Sequence, residues 1–126
     1  MLSLRLLPNG IMIQHMTHYN SGDIVVVPFP FVDRDIAKPR PVVVLSSTER
    51  SVTVMMITAG SSGILDDDIC ITDLASAGLP VVSYIRTKIF TLDVSLIKKN
   101  IGHLSQKDSL FLKKYLKKLF KYWLQD

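Results

Sequence analysis

"GDIVVVPFPFVDRDIAKPRPVVVLS", residues 22–46, holds two apolar runs joined by a loop crowded with charge. Val dominates both runs, and β-branched side chains suit a pleated, half-buried surface. The runs therefore read as paired strands over residues 24–29 and 41–47. Pro28 and Pro30 lack the amide donor that a ladder needs, so the first strand is expected to end there or to lie at a sheet edge. Between the runs lie Asp33, Arg34, Asp35, Lys38 and Arg40. Loop charges are ordinarily just solvated, but Arg40 stands apart. The prolines on either side stiffen its backbone at the mouth of a strand, which suits a cation that must meet an anion in one geometry.

The same pattern continues outward. Further strands are expected over residues 52–58, 69–71, 81–90 and 99–104, separated by turn residues and without a repeat, linker or low-complexity tract. "TDLASAGLP", residues 72–80, begins with a capping side chain and stops at Gly-x-Pro, so one or two helical turns are expected there. The C-terminal segment carries the clearest periodicity. Ser105 and Asp108 resemble a capping box with Asp where Glu or Gln is usual. Beyond them Leu112, Tyr115, Leu116, Leu119, Phe120, Trp123 and Leu124 share one helical face, with Lys113, Lys114, Lys117, Lys118 and Lys121 opposite. An amphipathic helix of this kind can cover a sheet, line a dimer interface or lie on an anionic membrane; docking on the sheet as core is the expectation. The fold class is mainly β (α+β), with antiparallel strands, short helices and a C-terminal amphipathic helix.

A chain of 126 residues is the size of one domain. Residues 1–18 fit no clear period and read as an N-terminal extension; Pro8, Asn9 and Gly10 interrupt it too early for a secretory leader. Residues 19–126 form the domain. With 48% hydrophobic and 21% charged residues, disorder is excluded as the class of the whole chain. The single cysteine, Cys70, cannot form an internal disulfide, and no run reaches membrane-spanning length, so a soluble, cytoplasmic protein is expected. The net charge of +4 is uneven: residues 98–126 carry eight Lys against two Asp, while residues 1–97 carry seven Lys or Arg against nine acids. That basicity is compatible with nucleic acid but equally with a solvated helix face.

Several chemistries have no residues to run on. There is no Gly-rich phosphate loop, no Cys or His metal spacing and no serine elbow. His15 and His18 read as bystanders and His103 as structural or surface. Asp66, Asp67 and Asp68 read as a solvated turn, because cation coordination needs converging oxygens and not merely adjacent ones. No cofactor or metal is expected. What remains is Arg40, Thr58, Arg86 and Lys88 at strand ends. Such groups suffice for a phosphodiester that supplies its own nucleophile, as RNA does through its 2′-hydroxyl. The enzyme then positions, moves protons and stabilises charge on the phosphoryl oxygens. A guanidinium binds two of those oxygens and stays protonated, and a threonine hydroxyl adds a further hydrogen bond.

"GDIVVVPF", "KPRPVVVLS", "ITAG" and "KIFTLDVSLIKKNIGHLS", in that order and spacing, resemble the successive motifs of the MazF/PemK/Kid family of toxin endoribonucleases, closest to its PemK-like branch. The likeness runs from residue 22 to about residue 105. It implies an SH3-like β-barrel, a homodimer, a cognate antitoxin, and metal-independent cleavage of single-stranded RNA by 2′-hydroxyl attack. The family's catalytic Arg falls on Arg40, as proton donor or charge stabiliser, and its Thr on Thr58, as a hydrogen-bonding stabiliser of the transition state. Arg86 is the third catalytic candidate, although Lys88 stands two residues on where Kid-like members carry Asp. Asp33, Arg34, Lys38, Ser61 and Lys88 are the implied RNA-binding residues. The loop "VDRDIAK", and Gly60 where some members have Gln, imply a base preference of this chain's own.

Two other readings share the fold. CcdB-like toxins poison gyrase through a tryptophan near the chain's end, and Trp123 invites that comparison, although its place on the apolar helix face makes a core role the expectation. An RNA-binding module without catalysis is the other. Arg40 and Thr58 discriminate, since cleavage needs them and gyrase binding does not.

Overall fold

The computed structural model describes residues 2–6, 12–16, 19–29, 38–60 and 66–125. Two strands, β1 (Leu2–Leu6) and β2 (Met12–Met16), pair antiparallel from Leu2↔Met16 to Leu6↔Met12. The N-terminal segment thus has regular structure that the search for a period did not reveal. The signal was Leu2-Ser3-Leu4-Arg5-Leu6, an apolar–polar alternation of period two too short to stand out alone.

The main sheet is built from β3 (Asp23–Phe29), β4 (Lys38–Ser47), β5 (Ser51–Ala59), β6 (Ile69–Cys70), β7 (Ser83–Asp93) and β8 (Lys99–His103). All neighbours are antiparallel, in the order β6-β7-β5-β4-β3-β8. Three register shifts, at Ile24/Val25, Val44/Ser46 and Met55/Ile57, place unequal numbers of residues opposite each other. Such bulges bend and twist a strand, and the sheet curls into a half-barrel. The fold is the mainly β one expected.

Alternation along the strands gives both faces an apolar set. Ile24, Val43, Met55, Ile57 and Ile85 form one cluster with Ile71, Leu79, Leu104 and Leu112. Val25, Val27, Val42, Val44, Val52 and Val54 form the other, flanked by Tyr19, Met56, Phe90, Leu92 and Ile97. The first is the face that the helices cover. The expected turn of helix is α1 (Leu74–Ala77), capped by Asp73 and closed by Gly78 in the left-handed conformation. It lies on β8 backbone against backbone. A Cβ at Gly102 would come within 2.3 Å of the Ala77 carbonyl carbon, and one at Gly78 within 1.9 Å of the Ile101 oxygen.

The C-terminal helix α2 (Gln106–Leu119) begins at Ser105, whose hydroxyl accepts from the Asp108 amide at 3.1 Å. Asp108 itself is buried and engaged elsewhere. Its carboxylate accepts from the Thr72 amide (3.0 and 3.1 Å), the Thr72 hydroxyl (2.7 Å) and the Asp73 amide (3.0 Å). A short acidic side chain at this position of the cap thus joins α2 to the segment that opens α1. Only the first half of α2 docks as expected: Leu112 is buried and Tyr115 and Leu116 pack beside it. The helix breaks at Phe120, and a last turn, α3 (Lys121–Leu124), follows. Leu119, Phe120, Trp123 and Leu124 are exposed, Trp123 by 78%, which corrects the expected core role of Trp123. The apolar stripe continues past the point where the sheet offers a surface to cover. Among the described residues no helix is long and apolar enough to cross a membrane.

Burial pushes the Asp108 carboxyl up, but the hydrogen bonds from Asp73, Thr72 and Ser105 outweigh it and hold it below its usual 3.8. A carboxylate so depressed contributes stability that is complete above 3.8 and is lost as pH falls through the lower folded value. Asp108→Asn is expected to cost about 2 kcal/mol near neutral pH. In urea unfolding, the gap between variant and wild type should close as the solution is acidified. Gly102→Ala should destabilise the domain by at least about 2 kcal/mol, because backbone must move to admit the methyl group.

Candidate functional site

The prolines of β4 decide how Arg40 is held. Pro28 stands opposite Pro39 and Val26 opposite Pro41, so neither pair can exchange two amide hydrogen bonds. In an antiparallel ladder such pairs alternate with fully bonded ones, which makes Val27↔Arg40 a bonded pair. On its other side β4 meets β5 only from Val42↔Met56 onward, leaving the donorless nitrogens of Pro39 and Pro41 outside that ladder. The first strand ends where its prolines were expected to end it: β3 stops at Phe29, between Pro28 and Pro30, and its ladder with β8 reaches only to Val26, so no donor is required of Pro28 on that side. The second strand starts earlier than expected, at Lys38, before both of its prolines.

Strand alternation sets Arg40 on the valine-rich face, two residues before Val42. Thr58 lies on the same face, two residues beyond Met56. Val42↔Met56 is the last pair of the β4–β5 ladder, and Arg40 and Thr58 each lie two residues beyond it, at the same end of the two strands. Thr58 in turn pairs with Tyr84 of β7, and Tyr84 with Cys70 of β6. Arg40, Thr58 and Tyr84 are all half-buried, and the Arg40 Nε is shielded from solvent. A cation, a hydroxyl and a phenol thus share one end of one face.

Arg86 belongs to the adjoining strand, β7. Its neighbour Ile85 packs on the helix side, so Arg86 falls on the face of Thr58. Here β7 bulges: Ile57 pairs with Ile85 but Met55 with Ile89, so residues 86–88 oppose Met56 alone. Arg86 Nη2 lies 3.0 Å from Asp68 Oδ2, and its Nε donates to Oδ1 at 3.4 Å. The Asp68 side chain is 0% exposed and that of Arg86 20%. This corrects the reading of the acidic triplet as a solvated turn. Asp66 and Asp67 are exposed, but the Asp68 side chain is closed to solvent and joins the turn before β6 to β7.

Of the other residues read from the sequence, Lys38 lies exposed at the start of β4 and Lys88 exposed in the bulge of β7. Asp33, Arg34 and Ser61 fall outside the described residues. His103 Nδ1 lies 2.8 Å from Asp23 Oδ1, the same carboxylate whose other oxygen accepts from the Asn20 amide, so His103 has the structural place expected of it. Tyr84 and Asp68 escaped the sequence reading. Tyr84 was detectable, as the residue next to Ile85 on the opposite side of a period-two strand. Asp68 was not, since nothing local distinguishes it from Asp66 and Asp67.

One end of the curled sheet thus carries two guanidinium groups and a hydroxyl, with Lys38 and Lys88 on the same strands as Arg40 and Arg86. Residues 20–120 match the family model of the PemK-like, MazF-like toxin of type II toxin–antitoxin systems. The chain belongs to that family. Membership makes it a toxin whose counterpart is an antitoxin. No curated protein matches the chain significantly. In Kid-like members an Asp follows the Arg of this strand two residues on; in this toxin Lys88 stands there, and the carboxylate beside Arg86 is that of Asp68.

The pair also carries a stability prediction. Arg86→Ala leaves the Asp68 charge in a site closed to water and should cost about 3 kcal/mol. In a double-mutant cycle, Asp68→Ala combined with Arg86→Ala should cost clearly less than the sum of the two single changes, as measured by urea unfolding.

Proposed function

We propose that this toxin is a metal-independent endoribonuclease that cuts single-stranded RNA by attack of a 2′-hydroxyl on the adjacent phosphorus. The observation that carries the reading is the placement of Arg40 and Thr58 on the valine-rich face, each two residues past the last β4–β5 pair, Val42↔Met56. The nucleophile comes from the substrate, so the protein must supply only position, charge and proton transfer. As the O2′–P bond forms and the P–O5′ bond breaks, the 2′-hydroxyl gives its proton to solvent. Arg40 binds the non-bridging oxygens or protonates the leaving 5′-oxygen and regains that proton from solvent, and the Thr58 hydroxyl adds a hydrogen bond as charge develops on the phosphoryl group. Arg86 stabilises the same charge from β7, and Lys38, Lys88, Asp33, Arg34 and Ser61 guide the RNA strand. The products are a 2′,3′-cyclic phosphate and a free 5′-hydroxyl. The active form is a homodimer, a reading supported by the apolar side chains left exposed at the end of α2 and on α3. The antitoxin contributes an acidic segment that covers the basic site.

Purified protein should cut single-stranded RNA in the presence of EDTA. Arg40→Ala should slow cutting by about 100-fold or more while its thermal unfolding stays close to wild type. RNA that survives intact with the wild-type protein under those conditions would sink the reading.

The exposure of Trp123 favours a second reading, a gyrase-binding toxin that acts without cleavage. The two separate cleanly in growth assays. On the nuclease reading, Arg40→Ala abolishes growth arrest; the gyrase reading requires that it leave the arrest intact.

A further inference from the structure

We propose that Asp68 is a positioning residue for RNA cleavage, one that fixes the direction of the Arg86 guanidinium without touching the substrate; the proposal rests on the nuclease reading above. Three observations lead to it. First, Arg86 lies at the head of the bulge in β7, where residues 86–88 face Met56 alone and regular pairing with β5 is interrupted. The ladder that fixes other strand residues on both sides is weakest there. Second, Asp68 takes the side edge of the guanidinium, Nε at 3.4 Å and Nη2 at 3.0 Å, a two-point contact that sets the plane of the fork as well as its place. Third, the Asp68 side chain is 0% exposed while that of Arg86 is 20% exposed. A carboxylate closed to solvent cannot take the 2′-hydroxyl proton or meet a phosphate, so it acts through Arg86.

Arg is long and flexible, and ordering it costs rotamer entropy. Where a buried carboxylate has already ordered it, that cost falls on folding and not on the transition state. The contribution should therefore appear in the chemical step more than in RNA binding. Asp68 lies one residue before Ile69, whose pairing with Ile85 brings the turn beside β7. The short strand β6 thus has a task beyond adding an edge to the sheet: it delivers this carboxylate.

The test is steady-state cleavage of an RNA oligonucleotide by wild type, Asp68→Asn, Asp68→Glu, Arg86→Ala and the Asp68→Asn/Arg86→Ala double variant, each with a thermal melt. Asp68→Asn should lower kcat on the order of 10- to 100-fold with KM changed by less than about threefold, and Asp68→Glu should recover part of the loss. In the Arg86→Ala background Asp68→Asn should leave kcat unchanged, a coupling that loss of fold stability alone would not produce. Full kcat in Asp68→Asn, or the same proportional loss with and without Arg86, overturns the role. Should Asp68→Asn not fold, the Arg86 Nε–H resonance of the wild-type protein decides. Slow exchange with water shows that Asp68 holds it, and exchange at the rate of free arginine overturns the proposal. Absence of cleavage by the wild type overturns the nuclease reading and this role with it, whereas undiminished cleavage in Asp68→Asn removes this role alone.

Discussion

The register between β3 and β4 governs everything that follows from it. Because side chains alternate across a strand, a slip of one residue would turn Arg40 to the helix-covered face and Val43 to the other. The pairing is held against slippage by apolar sets on both faces, Ile24 and Val43 in one cluster and Val25 and Val42 in the other. The prolines restrict it further, since Pro28, Pro39 and Pro41 tolerate only those ladder positions that need no amide donor. Residues with no chemistry of their own thus determine which way Arg40 faces.

How much of this was legible follows from the range of each signal. The strands could be read because their β-branched runs are local, and the shared face of Arg40 and Thr58 followed once pairing was known. The bulge in β7 could not be read, because an extra pair of residues on one strand shows itself only against its partner. Asp68 looked like one acid among three until Arg86, distant in sequence, was found beside it. Asp108 looked like a local cap residue, yet its carboxylate serves the Thr72 and Asp73 segment instead. The periodicity of α2 correctly named an apolar face, but a helical period carries no information on where the covered surface ends. Trp123 fell beyond it.

A common design links the two buried carboxylates. Asp68 and Asp108 each lie at one end of the segment that runs from the turn before β6 into α1, one reaching to the sheet and the other reached from α2. Both are fully or almost fully covered, and each is matched by donors, as a charge away from water requires. Together they hold a stretch with little regular structure between two well-packed layers. The candidate site therefore rests on polar ties at its margin and on valines beneath it.

The strand order bears on when such a protein comes into being. Among the six strands of the main sheet, β3 is made first and β8 last, yet they are neighbours, with Asp23 opposite His103. The edge of β3 stays open until almost the whole domain has been synthesised, and α1 has no β8 to rest on before then. Contacts so distant in sequence close late and slowly. During translation the main sheet thus stays incomplete along β3, and α1 without its support, until β8 has been made.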